Sequence, residues 1–157
     1  MNRIKTMLLR VIAISSLLFF STNAVTADTD VEYFRSKTFV EKKLPLSEAV
    51  RVGNLLFVSG NLGIDFSKAG LDLVPGGLVA ETKQTMLNIE NTLKGSGSSL
   101  DKLVKCTLYM ANIDEWPELN KIWPSFFNEN FPTRTAIEVG RLWRGAAIEI
   151  TCIAYVD

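Results

Sequence analysis

The segment Ala147–Val156 constrains the fold most. It alternates strictly, with Ile148, Ile150, Cys152 and Ala154 on one face and Glu149, Thr151, Ile153 and Tyr155 on the other. A period of two is that of a β-strand. The first face belongs in a core. The second, with Ile153 and Tyr155 on it, is too apolar to stay in water and predicts burial by association with other copies.

The preceding chain supplies partners for this strand. Glu48–Val52 and Leu55–Ser59 read as strands meeting at Gly53-Asn54, a hairpin signal. Asn61–Gly77, rich in Gly and Asp, reads as a loop. Leu78, Thr82, Met86, Ile89 and Leu93 recur at three- and four-residue steps, which predicts an amphipathic helix over 78–94 stopped by Gly95 and Gly97. Lys102–Met110 alternates again, with Val104, Cys106, Leu108 and Met110 on one side. Asp114 can cap a second helix carrying Leu119, Ile122, Trp123, Phe126 and Phe127, with Pro117 in its first turn and a bend or restart at Pro124. Arg134–Val139 is a further strand, joined to the last one by a turn-like Leu-Trp-Arg-Gly. The order strands, helix, strand, helix, strands predicts an α+β fold: one domain, a mixed sheet, and two helices on one face.

The amino end has a different character. Arg3, Lys5 and Arg10 precede an apolar run, Val11–Phe20, and Val25-Thr26-Ala27 offers a small-residue cleavage site. That is the layout of a secretory signal peptide over 1–27, and the run is short for a membrane anchor, the rival reading. Residues 28–43 form a polar N-terminal extension expected to wrap onto the domain as a loop and short strand, and residues 44–157 form the domain. The expected location is periplasmic or secreted. Losing three basic residues leaves fourteen against seventeen acidic ones, a net charge of −3. With no basic stripe, nucleic acid is excluded as the expected partner, and so is a membrane for the mature form. The chain has no histidine and only two cysteines. A metal site is therefore not expected. Cys106 and Cys152 form an even pair in an oxidising compartment, which raises a disulfide, but their places among apolar strand residues favour two buried thiols.

Arg134 and Glu149 are the candidate chemical groups. Arginine holds a carboxylate bidentately and keeps its charge, and a glutamate can accept a proton from water. The rival reading of the pair is an ion pair holding a hairpin together. The stretch Phe131–Ile150 (FPTRTAIEVGRLWRGAAIEI), with Pro45–Gly53 (PLSEAVRVG), Leu55–Gly60 (LLFVSG) and Leu119-Asn120, resembles the RidA/YjgF family in order and spacing. The resemblance implies the chorismate-mutase-like RidA fold and a homotrimer whose open sheet faces form a central barrel, with a pocket at each subunit boundary. It also implies cofactor-free hydrolysis of reactive enamines and imines, the 2-imino acids, to 2-oxo acids and ammonia.

On that resemblance Arg134 binds the substrate carboxylate and Glu149 orients the water. Ser59, Gly60 and Asn120 help to orient the substrate. Two positions depart from the family pattern. Leu46 stands where deaminase-type members carry a tyrosine, and Ala136 stands where a cysteine is frequent. Trp143-Arg144 also replaces a Pro-Lys-like turn. The competing function is a non-catalytic trimeric protein that binds a small carboxylate through Arg134.

Overall fold

The computed structural model describes residues 30–157, and the expected signal segment lies outside them. Six strands form one mixed sheet: β1 (Val31–Phe34), β2 (Ala49–Val52), β3 (Leu55–Leu62), β4 (Leu103–Met110), β5 (Thr133–Glu138) and β6 (Ile148–Tyr155), in the order β1-β2-β3-β6-β4-β5. All neighbours run antiparallel except β4 and β5, which are parallel. Three helices accompany the sheet: α1 (Lys37–Glu41), α2 (Gly77–Gly95) and α3 (Trp116–Ile122). Met86, Ile89 and Leu93 of α2 and Leu119 of α3 pack with Ile148, Ile150, Cys152 and Ala154 of β6 in one buried cluster. This is the α+β arrangement that the alternation and the helical spacing predict.

The turn at Gly53-Asn54 joins β2 to β3, and Gly53 takes a left-handed φ of 58°. Strand β3 runs three residues past its expected end by absorbing an irregularity. Val58 pairs with Cys152 but Asn61 pairs with Ile150, so three steps on β3 face two on β6. This bulge switches the inward set from Leu56 and Val58 to Asn61. A second bulge, between Leu103 and Lys105, overturns one reading of β4: Val104 is 46% exposed, and Leu103 takes the inward place. Asn112, rather than Asp114, accepts a capping hydrogen bond, from the Asp114 amide, at the 3-10 turn before α3. Pro124 ends the α geometry, and Trp123–Phe126 continue as a 3-10 turn.

The segment ahead of the domain takes part in the sheet. β1 pairs with β2 at the edge, and α1, capped by the Ser36 hydroxyl, buries Phe39. Against the expectation of free thiols, Cys106 and Cys152 form a disulfide, and among the described residues no cysteine is free. They are direct partners in the β4–β6 ladder, with Cα atoms 4.2 Å apart, a relation that neighbour polarity does not report. The link joins the two strands at the centre of the sheet across 46 residues. By constraining the unfolded chain it should contribute about 2–4 kcal/mol. Urea unfolding with and without reductant should show that difference, and thiol titration in denaturant should find no free thiol. Two titratable thiols in unreduced protein would refute the bond.

Candidate functional site

Arg134 and Glu149 do not form a hairpin pair. β4 lies between their strands, with Arg134 opposite Cys106 and Glu149 opposite Tyr109. Cys106 faces the helices, and Tyr109, an odd number of residues on, faces away. Arg134 therefore lies on the helix-covered side of the sheet and Glu149 on the open side. Within one copy they cannot share a pocket. The ion-pair reading fails as well, since β5 and β6 are not neighbours.

Each residue has its own setting. The Arg134 guanidinium carbon lies 5.0 Å from the Trp116 ring and 5.3 Å from the Trp123 ring, both contributed by the α3 region. Its Nη2 donates to Asn120 Oδ1 at 2.6 Å. Ala136, two residues further along β5, lies on the same side, opposite Leu108. Burial lowers the Arg134 pKa from its ordinary value. The group nonetheless remains a cation, because guanidinium does not deprotonate in proteins. Two aromatic rings and one amide thus hold a fork of donors at the sheet edge, with donors to spare for an anion.

Glu149 lines a cavity of about 360 Å³ together with Leu46, Ser59 and Gly60. The structure thus brings together four of the sequence-predicted residues here and three at the other setting (Arg134, Asn120, Ala136). The bulge in β3 explains how Glu149 and Gly60 come so close. A Cβ on Gly60 would collide with Glu149 Oε1, so glycine is what leaves room for the carboxylate. Burial raises the Glu149 pKa, and among the described residues Glu149 forms no salt bridge.

Glu81, on α2, was not signalled by its surroundings in sequence. Its Oε2 accepts the Ala147 amide at 2.9 Å, two residues before Glu149, and so fixes the entry to β6. Desolvation, the largest influence, raises its pKa, while the amides of Ala147 and Ile148 pull it down. Phe39, Phe66 and Leu71 also line the Glu149 cavity without a signal in the sequence, and Trp143 joins them from the turn whose departure from the Pro-Lys-like pattern marks it as able to reshape the pocket mouth. Among the described residues no group of three or more metal-ligating side chains gathers.

A single α+β domain with an anion-ready arginine on one side of its sheet and a half-buried carboxylate on the other defines the class. The family profile described as "Endoribonuclease L-PSP" matches residues 39–156. A RutC family protein of Pyrococcus horikoshii is 37% identical over 113 residues, covering 72% of this chain and 88% of that protein. The 2-iminobutanoate/2-iminopropanoate deaminase of Capra hircus is 39% identical over 110 residues, covering 70% of this chain and 79% of that enzyme. A solved structure of a Rid-family protein of unknown function from Yersinia pestis superposes with a TM-score of 0.74 at 31% identity, over 81% of this chain and all of that one. The chain belongs to this family, the RidA/YjgF proteins.

The raised pKa of Glu149 has a consequence for stability. A carboxyl whose folded pKa exceeds its unfolded value favours the folded state below the unfolded pKa, and that advantage is lost as pH rises through the folded pKa. Ionising Glu149 in the folded state therefore costs stability. Thermal unfolding should show Glu149→Gln melting above wild type at pH 7–8, with the gap closing towards about pH 4. A variant that melts below wild type at pH 7 would contradict an uncompensated carboxylate.

Proposed function

We propose that the protein hydrolyses 2-imino acids, or their enamine tautomers, to 2-oxo acids and ammonia without a cofactor. The observation that carries this reading is the Glu149 carboxylate, half-buried, in no salt bridge among the described residues, and open to a cavity at Gly60. The deaminase name of the Capra hircus relative supports it. A protein that only binds carboxylates has use for Arg134, but it gains nothing from a second, unpaired carboxylate at the cavity.

Hydrolysis needs little apparatus, because the imine carbon is already electrophilic. Glu149 takes a proton from water as the water oxygen bonds to that carbon. The C=N electron pair moves to nitrogen, which gains a proton, and a carbinolamine results. Its C–N bond then breaks as Glu149 takes the hydroxyl proton and passes it to the departing nitrogen, giving the 2-oxo acid and ammonia. Arg134, steadied by Trp116, Trp123 and Asn120, holds the substrate carboxylate, and Ser59 and the Gly60 backbone orient the reacting end. Positioning supplies most of the acceleration.

The site needs Arg134 from one copy and Glu149 from another. We propose a homotrimer, in which the open sheet faces meet. Exposed Leu55, Phe57 and Tyr155 on that side support the association. Removing the general base by Glu149→Gln should lower kcat about 10²–10⁴-fold. Arg134→Ala should raise KM about 10–100-fold through loss of a charged hydrogen-bond donor. Co-expression of the two variants should restore activity, because random assembly leaves about one site in four with both groups intact. Activity no greater than the sum of the separate variants would place Arg134 and Glu149 in different sites.

We also propose that the protein is exported. The leader pattern over residues 1–27 and the Cys106–Cys152 disulfide both fit an oxidising compartment. Mass spectrometry of the mature protein should find Asp28 at the N-terminus. An intact Met1 would refute cleavage.

A further inference from the structure

The Glu149 cavity extends well beyond the reacting end. Leu44, Leu46, Ile64, Phe66, Leu71 and Trp143 line it, and Phe39 of α1 adds a further wall. Its remaining polar groups are largely used. Asn61 donates to the Ser59 carbonyl at 2.8 Å, and Glu48 accepts the Ser36 amide. That leaves a polar end at Glu149 and Ser59, and an apolar remainder with little to offer water.

This apolar part is held open by tethers among three segments. Phe39 packs on Phe66 with ring centroids 5.2 Å apart. Lys42, just after α1, donates to the carbonyls of Lys68 and Ala69 at 3.0 and 2.9 Å, fixing the loop that carries Phe66 and Leu71. Arg144 pairs with Asp72 of the same loop while stacking 4.6 Å from the Trp143 ring. Arg144 and Gly145 hold left-handed φ values of 55° and 73°, which sets the turn that presents Trp143 at the mouth. On the inner side Asn88 of α2 donates to the carbonyls of Leu62 and Ile64. The cavity is thus preformed rather than assembled by ligand.

From this we infer that the substrate is a 2-imino acid with a large apolar side chain, of leucine, methionine or phenylalanine size, which fills the space between Phe39, Phe66, Leu71 and Trp143. The inference rests on the deaminase reading for its reaction, and on the cavity alone for its selectivity. A methyl side chain would leave unfilled most of the apolar part of this cavity, whose whole volume is about 360 Å³. Each added methylene that contacts such walls is worth about 10-fold or more in kcat/KM. Two features beyond the catalytic residues then set specificity: the helix α1, through Phe39, and Trp143.

The test compares imines generated in situ by oxidation of L-alanine, L-leucine and L-phenylalanine, following 2-oxo acid release. Calorimetry of pyruvate and 4-methyl-2-oxopentanoate binding runs beside it and needs no turnover. The wild type should favour the leucine-derived imine over the alanine-derived one at least 10-fold in kcat/KM, and should bind 4-methyl-2-oxopentanoate at least 10-fold more tightly than pyruvate. Leu71→Trp, at a partly exposed loop position, should shrink both ratios at least 10-fold, with thermal unfolding to check its fold. Turnover with equal or reversed preference overturns the pocket assignment and leaves the deaminase reading standing. Selective binding of the bulky 2-oxo acid without turnover of any imine upholds the pocket and removes the deaminase reading. Neither selectivity nor turnover removes both.

Discussion

The pairing of β6 on both of its edges is the constraint on which the molecule depends. β3 lies on one side and β4 on the other, so every residue of this strand has its facing decided by two ladders at once. A slip of one residue would send Ile148, Ile150, Cys152 and Ala154 outward and carry Glu149 into the core. Burial of four side chains at full depth opposes that slip, and the covalent link from Cys152 to Cys106 fixes the same register chemically. The position of Glu149 is therefore secured by hydrophobic burial on the opposite side of its own strand. Glu81 adds a local hold by accepting the amide of Ala147 at the strand's entry.

That security allows Glu149 to remain unpaired. A half-buried carboxylate in no salt bridge among the described residues is a destabilising element when ionised, and burial raises its pKa. Compensation comes from elsewhere in the fold, from the core and from the central disulfide. The bulge in β3 completes the arrangement. It turns Asn61 inward and brings a residue without a side chain against the carboxylate, so Glu149 faces the cavity rather than a neighbour.

How much of this was legible in sequence follows from what a period can and cannot say. Alternation in Ala147–Val156 and the three- and four-residue steps in Leu78–Lys94 reported facing, and the two-layer α+β arrangement followed from facing alone. Neither pattern reports which strand lies next to which. Arg134–Val139 and Ala147–Val156 are joined by a short turn, yet β4 sits between them, because β5 runs parallel to β4 at the sheet edge. The disulfide was hidden for the same reason: apolar neighbours predicted burial of Cys106 and Cys152, whereas bonding depended on their being opposite each other. Bulges lie further out of reach. One residue of insertion exposes Val104 and another places Gly60 beside Glu149, and no local composition marks either. The candidate residues rest on the family resemblance, which carries no information on their division between two sides of a sheet.

That division decides what kind of site this is. A group on the helix-covered side of an edge strand and a group on the open side of a central strand cannot converge on one small molecule without a second copy of the chain. Arg134 is placed for that role, since β5 has no partner on its outer side among the described residues. A donor fork steadied at that edge by Trp116, Trp123 and Asn120 is presented outward from the sheet margin. The surface around Glu149 has the complementary property, with a concave cavity on the side where Leu55, Phe57 and Tyr155 invite cover. Burial of that surface would further desolvate Glu149 and bring a cation to the carboxylate end of the substrate in the same step. On the homotrimer proposed above, association and catalysis would become one event: assembly would lower the dielectric around Glu149 and bring the Arg134 charge to the substrate.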